Sequence, residues 1–430
     1  MESKVADLVK NAKSLYDLEF SDLHFIENDP EELKVDIGED PIRFVHIDLP
    51  HTQFLHLHSI TLLDASGSAI DLTDKKAMLS VSSTYGGAAA GAGKVRMFTP
   101  EGRHEAAFHT KKDVKPWALI CLEKSMTVTR IVLKNRPGAS AVRARGIRMH
   151  VSQDAMRWMV VYDAAQRNEA LRASARNLLP VIDRVSPRIL GLAVETAIDT
   201  LQFAYKDAVE RLEAAKLPRE EYAWIRKSIN REILSCRERE WTSHGPRRSF
   251  RFWGHQEKRD YVALTVDVCN DLAELSPDVC FGFGSVLSIV RDKALMQHDD
   301  DLDIIVGFRK EQASCLTIAL DLVKDCLELK GYKVTKRFFS HWHVYRDGKK
   351  VDVFVGIYEE GDRIGWFPGT RMALDRNSVF PPQQVEFLGS ECAIPRHSEA
   401  YLATVYGPQW KEPLPGWRHD WNRSSYRDLA

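Results

Sequence analysis

The segment from Phe281 to Phe308, FGFGSVLSIVRDKALMQHDDDLDIIVGF, sets Asp299, Asp300, Asp301 and Asp303 against an Ile-Ile-Val run. Repulsion and desolvation both oppose placing like charges at the start of a buried strand. A chain with this run has two outcomes open to it: the acidic turn stays in solvent, or a cation compensates it. Strand alternation then divides the aspartates. Asp301 and Asp303 lie two apart and share one face, while Leu302, Ile304 and Val306 point to the other. A later strand, KKVDVFV, repeats the pattern, with Val351, Val353 and Val355 on one face and Asp352 opposite. If the two strands are neighbours, three carboxylates converge. Alone they would retain protons at raised pKa. With Mg²⁺, or Mn²⁺ in its place, the arrangement becomes favourable, because carboxylate oxygens completed by waters and substrate phosphates suit that ion.

Gly284-Ser285 fits the same picture. The pair falls between a short strand, VCFGFG, and a helix start, SVLSIVRD. Backbone N–H groups at such a junction can meet phosphate oxygens, and glycine permits close approach. A Gly-Ser pair, a D-x-D on a strand and a single Asp on a later strand follow the layout of the nucleotidyltransferase fold. Asp301, Asp303 and Asp352 are accordingly the candidate metal ligands and catalytic groups. Gly284 and Ser285 are the candidate phosphate binders.

At 430 residues the chain has room for two or three domains. Its 60 basic and 61 acidic residues nearly balance, which gives no support for a nucleic-acid partner. Seven cysteines are scattered singly, without a C-x-x-C, as expected of free thiols in a reducing compartment. The N-terminal stretch MESKVADLVKNAKSLYDLEF lacks the apolar core of a signal peptide, and no apolar run approaches the roughly 18 residues of a membrane span. The expectation is a soluble, cytoplasmic protein, with peripheral association to a glycan-assembly complex and oligomerisation both left open.

Four zones follow from pattern. Residues 1–29 form an N-terminal segment. Residues 30–165 read as an all-β sandwich, with strands such as RFVHIDL, WALICLE and VTRIVLKNR. Within it TYGGAAAGAGKV fails as a P-loop: Ala88 stands where the first glycine belongs, and Val95 follows Lys94 where Ser or Thr is needed. Residues 166–250 read as a helical connector, with SPRIL opening one helix and LPREEYAWIRKSINREIL another. The connector ends in the basic run TSHGPRRSFRFWG, a surface loop or a reach toward an anionic substrate. Residues 251–430 read as an α/β domain with a mixed sheet. There HWHVYRDGKKVDVFVGIY forms a hairpin about Asp347-Gly348.

Two family resemblances attach to these residues. PWALICLEKSMTVTRIVLKNR and ARGIRMHVSQDAMRWMVVYDA resemble the closing strands of discoidin-like domains, with Val151, Ser152, Asp154, Trp158 and Val161 matching and Ala155 in place of the turn glycine. That resemblance implies a sandwich able to bind carbohydrate. GSVLSIVRDKALMQHDDDLDIIV, KVDVFVGIY and VFPPQQVEFLGSECAIPRHSEAYLATVYGPQW resemble, in order, the signature stretches of the LicD and fukutin-related family. Ser288 and Gln297-His298 depart from its pattern, and no cysteine cluster like the zinc loop of some members is present.

The second resemblance implies a Mg²⁺-dependent transferase. It would move a phosphorylated alcohol, phosphocholine or an alditol phosphate, from a CDP-linked donor to a hydroxyl of a cell-surface or capsular glycan. It assigns the ion to Asp301 and Asp303. Asp352 is left as a second-metal ligand or a general base. Arg291 matches the family's arginine, set on donor phosphate or in a salt bridge to the aspartate loop. Asp299 and Asp300 would orient the loop or hold metal-bound waters, and His341 and His343 would touch substrate or serve structure. Tyr406-Gly407 and Trp410 would form a packed helix end or a stacking platform. Two rivals remain: a nucleotidyltransferase that moves a nucleoside monophosphate onto a small molecule, and a noncatalytic glycan-binding protein.

Overall fold

Alternating apolar residues near the N-terminus become antiparallel strands. The computed structural model describes residues 1–70, 72, 77–85, 108–178, 187–335, 339–413 and 424–426, in two units, Met1–Leu234 and Ser235–Ala430. Ser186 and most of the glycine-rich TYGGAAAGAGKV lie outside the described residues.

In the first unit a five-stranded antiparallel sheet runs in the order Met159–Asp163, Arg148–Ser152, Pro41–Asp48, Trp117–Thr127, Ala77–Val81. A three-stranded sheet joins Leu33–Asp36, Arg130–Lys134 and Ser59–Leu63, and a two-stranded one joins Gln53–Leu57 with Phe108–Asp113. Period-two alternation decides what is buried. Val45, Ile47, Ala118, Ile120, Met149 and Val151 are fully enclosed, whereas Phe44, His46, Trp117 and His150 on the opposite face are only partly covered. Ala155 takes a left-handed φ of 60° in the turn after Ser152, the backbone state that favours glycine there.

The N-terminal segment is an 18-residue helix, Glu2–Glu19. Its buried Val5, Leu8, Val9, Ala12 and Tyr16 recur at helical spacing and pack against the helices Pro187–Leu201 and Arg219–Ile229. That apolar stripe needs cover, and these helices supply it. The stretch read as a connector is therefore a layer of the first unit up to Leu234, while the basic run that closes it lies in the second.

The second unit is built on a five-stranded mixed sheet, in the order Val279–Phe281, Leu302–Phe308, Lys349–Ile357, His341–Arg346, Lys333–Thr335. Helices His255–Ala273 and Leu316–Leu329 pack on it, the latter through Leu316, Ala319, Leu320, Val323 and Leu327. Asp347 and Gly348 both take positive φ, 52° and 76°, as a two-residue hairpin turn requires. The pairing that positions the site is parallel. Leu302–Phe308 lies beside Lys349–Ile357, with Asp303 level with Asp352. No helix among the described residues is long and apolar enough to cross a membrane.

Candidate functional site

Three carboxylates meet where the parallel strands begin. Asp303 and Asp352 are register partners, and Asp301 sits one step before its strand. Asp301 and Asp352 are buried, each 6% exposed. Tyr261 braces the two strands from below. Its hydroxyl accepts from the Leu302 N–H at 2.9 Å and donates to the Lys350 carbonyl.

The short helix Phe283–Leu287 forms the second wall. Phe283, at a strained φ of 39°, is held by its N–H donating to the Tyr401 hydroxyl at 3.0 Å. Gly284 follows. A Cβ added there would stand 3.1 Å from Met296 Cε, 3.3 Å from Asp299 Oδ2 and 3.7 Å from Asp303 Oδ2, so glycine lets the helix start lie close against the carboxylates. Ser285 is buried, and its Oγ accepts from the Asp303 N–H at 2.7 Å. The hydroxyl thus braces the strand that carries Asp303.

Two cations that the sequence reading did not single out enter the site. Lys350 Nζ lies 2.6 Å from Asp301 Oδ2 and 3.1 Å from Asp352 Oδ2. His244, from the hairpin Glu240–Thr242 and Gly245–Arg247, places Nδ1 3.2 Å from Asp300 Oδ1 and 3.7 Å from Asp301 Oδ2. The adjoining chain is fastened to the acidic loop: the Phe250 N–H donates to the Asp299 carbonyl and the Arg251 N–H to that of Gln297, each at 2.8 Å. Lys350 was legible in part, since it precedes Asp352 by two on one strand and so shares its face. His244 carried no local signal, because its position comes from the packing of a hairpin distant in sequence.

The cations do not balance the anions. Burial, and then Asp301 and Asp300, push Asp299 up to about 8. Burial and Asp301 push Asp352 up to about 7, although Lys350 opposes them. Asp303 is raised well above the usual carboxylate range by burial, Asp301 and Asp352. Asp301 alone is held low, because Lys350 and His244 outweigh its burial. The hydrogen bond to Asp300 raises His244 to about 9, so it is an imidazolium at neutral pH. Asp352 Oδ1 is buried and has no hydrogen-bond partner. A carboxylate cluster short of positive charge, with one oxygen unpartnered, fits a divalent cation.

The remaining predicted residues fall around this centre. His343 faces Asp352 across the antiparallel pair, Nε2 to Oδ1 3.7 Å, and with His341 and Asp352 offers a set of ligand atoms within 4.8 Å of one another. Burial, followed by His343 and Lys350, pushes His341 down to about 3, so it is neutral. Arg291 reaches the Met296 sulfur at 3.5 Å, next to the acidic loop. It pairs with Asp292, Nε to Oδ1 2.7 Å, and donates to the Trp410 carbonyl at 3.3 Å. Trp410 is buried, as a packed helix end implies.

The first unit holds another His/Asp set, His46, Asp48 and His150. Both Asp48 oxygens are held there by Arg148, at 2.9 and 2.5 Å. In a cavity bordered by Asp22, Tyr162, Arg172 and Asp199, Asp22 is paired with Arg167 and Asp199 with Arg172.

Residues 278–397 match the family model described as LicD/FKTN/FKRP, nucleotidyltransferase domain. This supports a transferase of the LicD family in the second unit. No curated protein matches the chain. Among solved structures, the antibiotic-resistance factor ANT(2″)-Ia is similar to part of it. The solution structure shares 12% identity over 37% of this chain and 78% of that one, at a TM-score of 0.26. The crystal structure with adenylyl-2″-tobramycin shares 13% over 36% and 80%, at 0.25.

Proposed function

We propose that the second unit transfers a phosphorylated alcohol, phosphocholine or an alditol phosphate, from a CDP-linked donor to a hydroxyl of a cell-surface or capsular glycan, acting from the cytoplasmic side. One observation carries the reading. Asp301, Asp303 and Asp352 converge on two parallel neighbouring strands, inside the stretch that matches the LicD family model. In the reaction the acceptor oxygen attacks the phosphorus that bears the alcohol. The bond from that phosphorus to the bridging oxygen breaks, CMP departs, and the hydroxyl proton passes to a base. Such a transfer needs charge neutralisation and alignment more than covalent help.

Asp301, Asp303 and Asp352 would hold Mg²⁺. The ion supplies Lewis-acid neutralisation of the diphosphate. Asp352, its pKa raised to about 7 by burial and Asp301, either completes that oxygen set or takes the acceptor's proton; both roles draw on the same Oδ1, which makes no hydrogen bond. Ser285 fixes the direction of Asp303 through its backbone N–H. Gly284 brings the backbone of the helix start close to the carboxylates, where a donor phosphate would lie. Asp300 and His244 hold the entrance of the acidic loop. The β-rich first unit would bind the acceptor glycan and raise its local concentration.

The description of the matched domain favours one second reading, transfer of a nucleoside monophosphate from a nucleoside triphosphate. Product analysis separates the two. With a panel of CDP-linked alcohols, Mg²⁺ and a glycan acceptor, the full chain should release CMP, and EDTA should stop it. Release of pyrophosphate from CTP, with CDP-linked alcohols left intact, would replace the first reading by the second.

A further inference from the structure

The ammonium of Lys350 occupies the space between two proposed metal ligands. Leu302 is level with Val351 in the parallel pair, so Lys350 is level with Asp301. It precedes Asp352 on the same strand face, which lets one side chain reach both carboxylates, at 2.6 and 3.1 Å. Burial disfavours its charge, but Asp301 and Asp352 more than offset that, and its pKa is raised. Two further facts bear on its purpose. Its side chain is 22% exposed, so part of it already meets solvent. Five carboxylates, Asp299, Asp300, Asp301, Asp303 and Asp352, share two cations, Lys350 and His244, so Lys350 does not by itself neutralise the site.

We propose that Lys350 is a tethered, exchangeable cation: the divalent ion displaces its ammonium from Asp301 and Asp352, and the freed ammonium then binds the donor's diphosphate. This inference rests on the transferase reading above. Its physical basis is simple. A monovalent ammonium and a divalent ion compete for the same oxygens, and the divalent ion has the larger Coulomb energy at equal distance. A lysine head on a flexible four-carbon stem can swing without moving the backbone, and ammonium is a good point-charge partner for phosphate. The carboxylates are never left uncompensated: before loading Lys350 serves them, and afterwards it serves the incoming anion. Metal loading and donor capture become linked, because the first releases the group used by the second.

The experiment is a Mn²⁺ titration of the full-length protein without donor, followed by electron paramagnetic resonance. Lys350→Met, which keeps the stem and removes the charge, should bind Mn²⁺ at least about fivefold more tightly than the parent chain. Lys350→Arg should stay within about twofold of it. In turnover Lys350→Met should raise the KM for the CDP-linked donor even while its metal affinity is higher. A lysine that only braced the strands would not produce that opposed pair of changes. Equal or weaker Mn²⁺ binding by Lys350→Met overturns the inference and leaves the transferase reading standing. Absence of Mn²⁺ binding in the parent chain and both variants overturns the transferase reading and this inference with it. A measurement on the unaltered protein guards against a variant that folds poorly. Acylation of Lys350, read by peptide mass spectrometry, should rise several-fold when Mn²⁺ is added; unchanged protection from the reagent overturns the displacement.

Discussion

Two buried carboxylate sites, one in each unit, meet the cost of their charge in different ways. In the first unit Asp48 is gripped through both oxygens by Arg148, with His46 and His150 beside it. One carboxylate faces one guanidinium, the geometry is bidentate, and nothing is left over. In the second unit Asp299, Asp300, Asp301, Asp303 and Asp352 share Lys350 and His244, and an oxygen of Asp352 makes no hydrogen bond, with His343 Nε2 3.7 Å away. His46, Asp48 and His150 in the first unit, and His244, Asp300 and Asp301 as well as His341, His343 and Asp352 in the second, all offer ligand atoms within 4.8 Å of one another, so spacing alone does not distinguish the sites. Charge balance does. A neutralised pair has no demand for an ion, whereas an under-neutralised cluster carries that demand in its raised pKa values.

The largest effect is expected from taking away the surplus of acid. Asp301→Ala or Asp303→Ala should lower transfer by at least about 100-fold, with an unchanged circular-dichroism spectrum. Near-normal turnover from either folded variant would remove the metal-site assignment. Asp48→Ala should do the reverse. It leaves a partly buried Arg148 unpaired and should destabilise the first unit by about 2 kcal/mol, read by chemical denaturation. Its Mn²⁺ stoichiometry should equal that of the parent chain. A loss of one bound ion would show the two sites to be more alike than their charges imply.

The comparison also has a pH signature. Asp299 and Asp352 have folded pKa values of about 8 and about 7, raised from near 4. A carboxyl raised on folding contributes stability that is complete below its unfolded pKa and is lost as pH rises through the folded value. The metal-free protein should therefore melt at a lower temperature at pH 9 than at pH 6, and Mg²⁺ should reverse much of that loss. A flat profile in that window would mean the cluster is already compensated, as at Asp48. The smallest effect is expected at Arg291. With its guanidinium on Asp292 and the Trp410 carbonyl, Arg291→Lys should change the donor KM by less than about threefold. A much larger rise would return Arg291 to the donor phosphate.

Much of the second unit was readable from pattern. The D-x-D alternation, the single Asp352 between core valines and the Asp347-Gly348 turn all report local backbone geometry, and each appears where its spacing implies. The N-terminal helix was missed: the spacing of Val5, Leu8, Val9, Ala12 and Tyr16 carries it, but the charged residues between them hide the stripe in any average of hydropathy. Ser285 was harder. The sequence places it at a strand-to-helix junction, which suits a phosphate binder, yet its hydroxyl is turned to the Asp303 N–H. Which way a hydroxyl points depends on what is packed beside it.

The split between local and distant information follows from the range of the forces involved. Side-chain alternation, turn chemistry and helical spacing act over two to four residues, so the order of residues was enough to put Asp301, Asp303 and Asp352 on matching strand faces, but not to place Asp299, which lies with Asp303 beside Gly284, or Asp300, which shares His244 with Asp301. Charge compensation acts through space. His244 reaches Asp300 from a separate hairpin, and Lys350 reaches Asp301 only because two strands lie parallel in one register. Nothing along the chain announces those distances. They were set by sheet pairing and by the packing of the hairpin, and they turn an acidic run into a site whose charge is incompletely balanced.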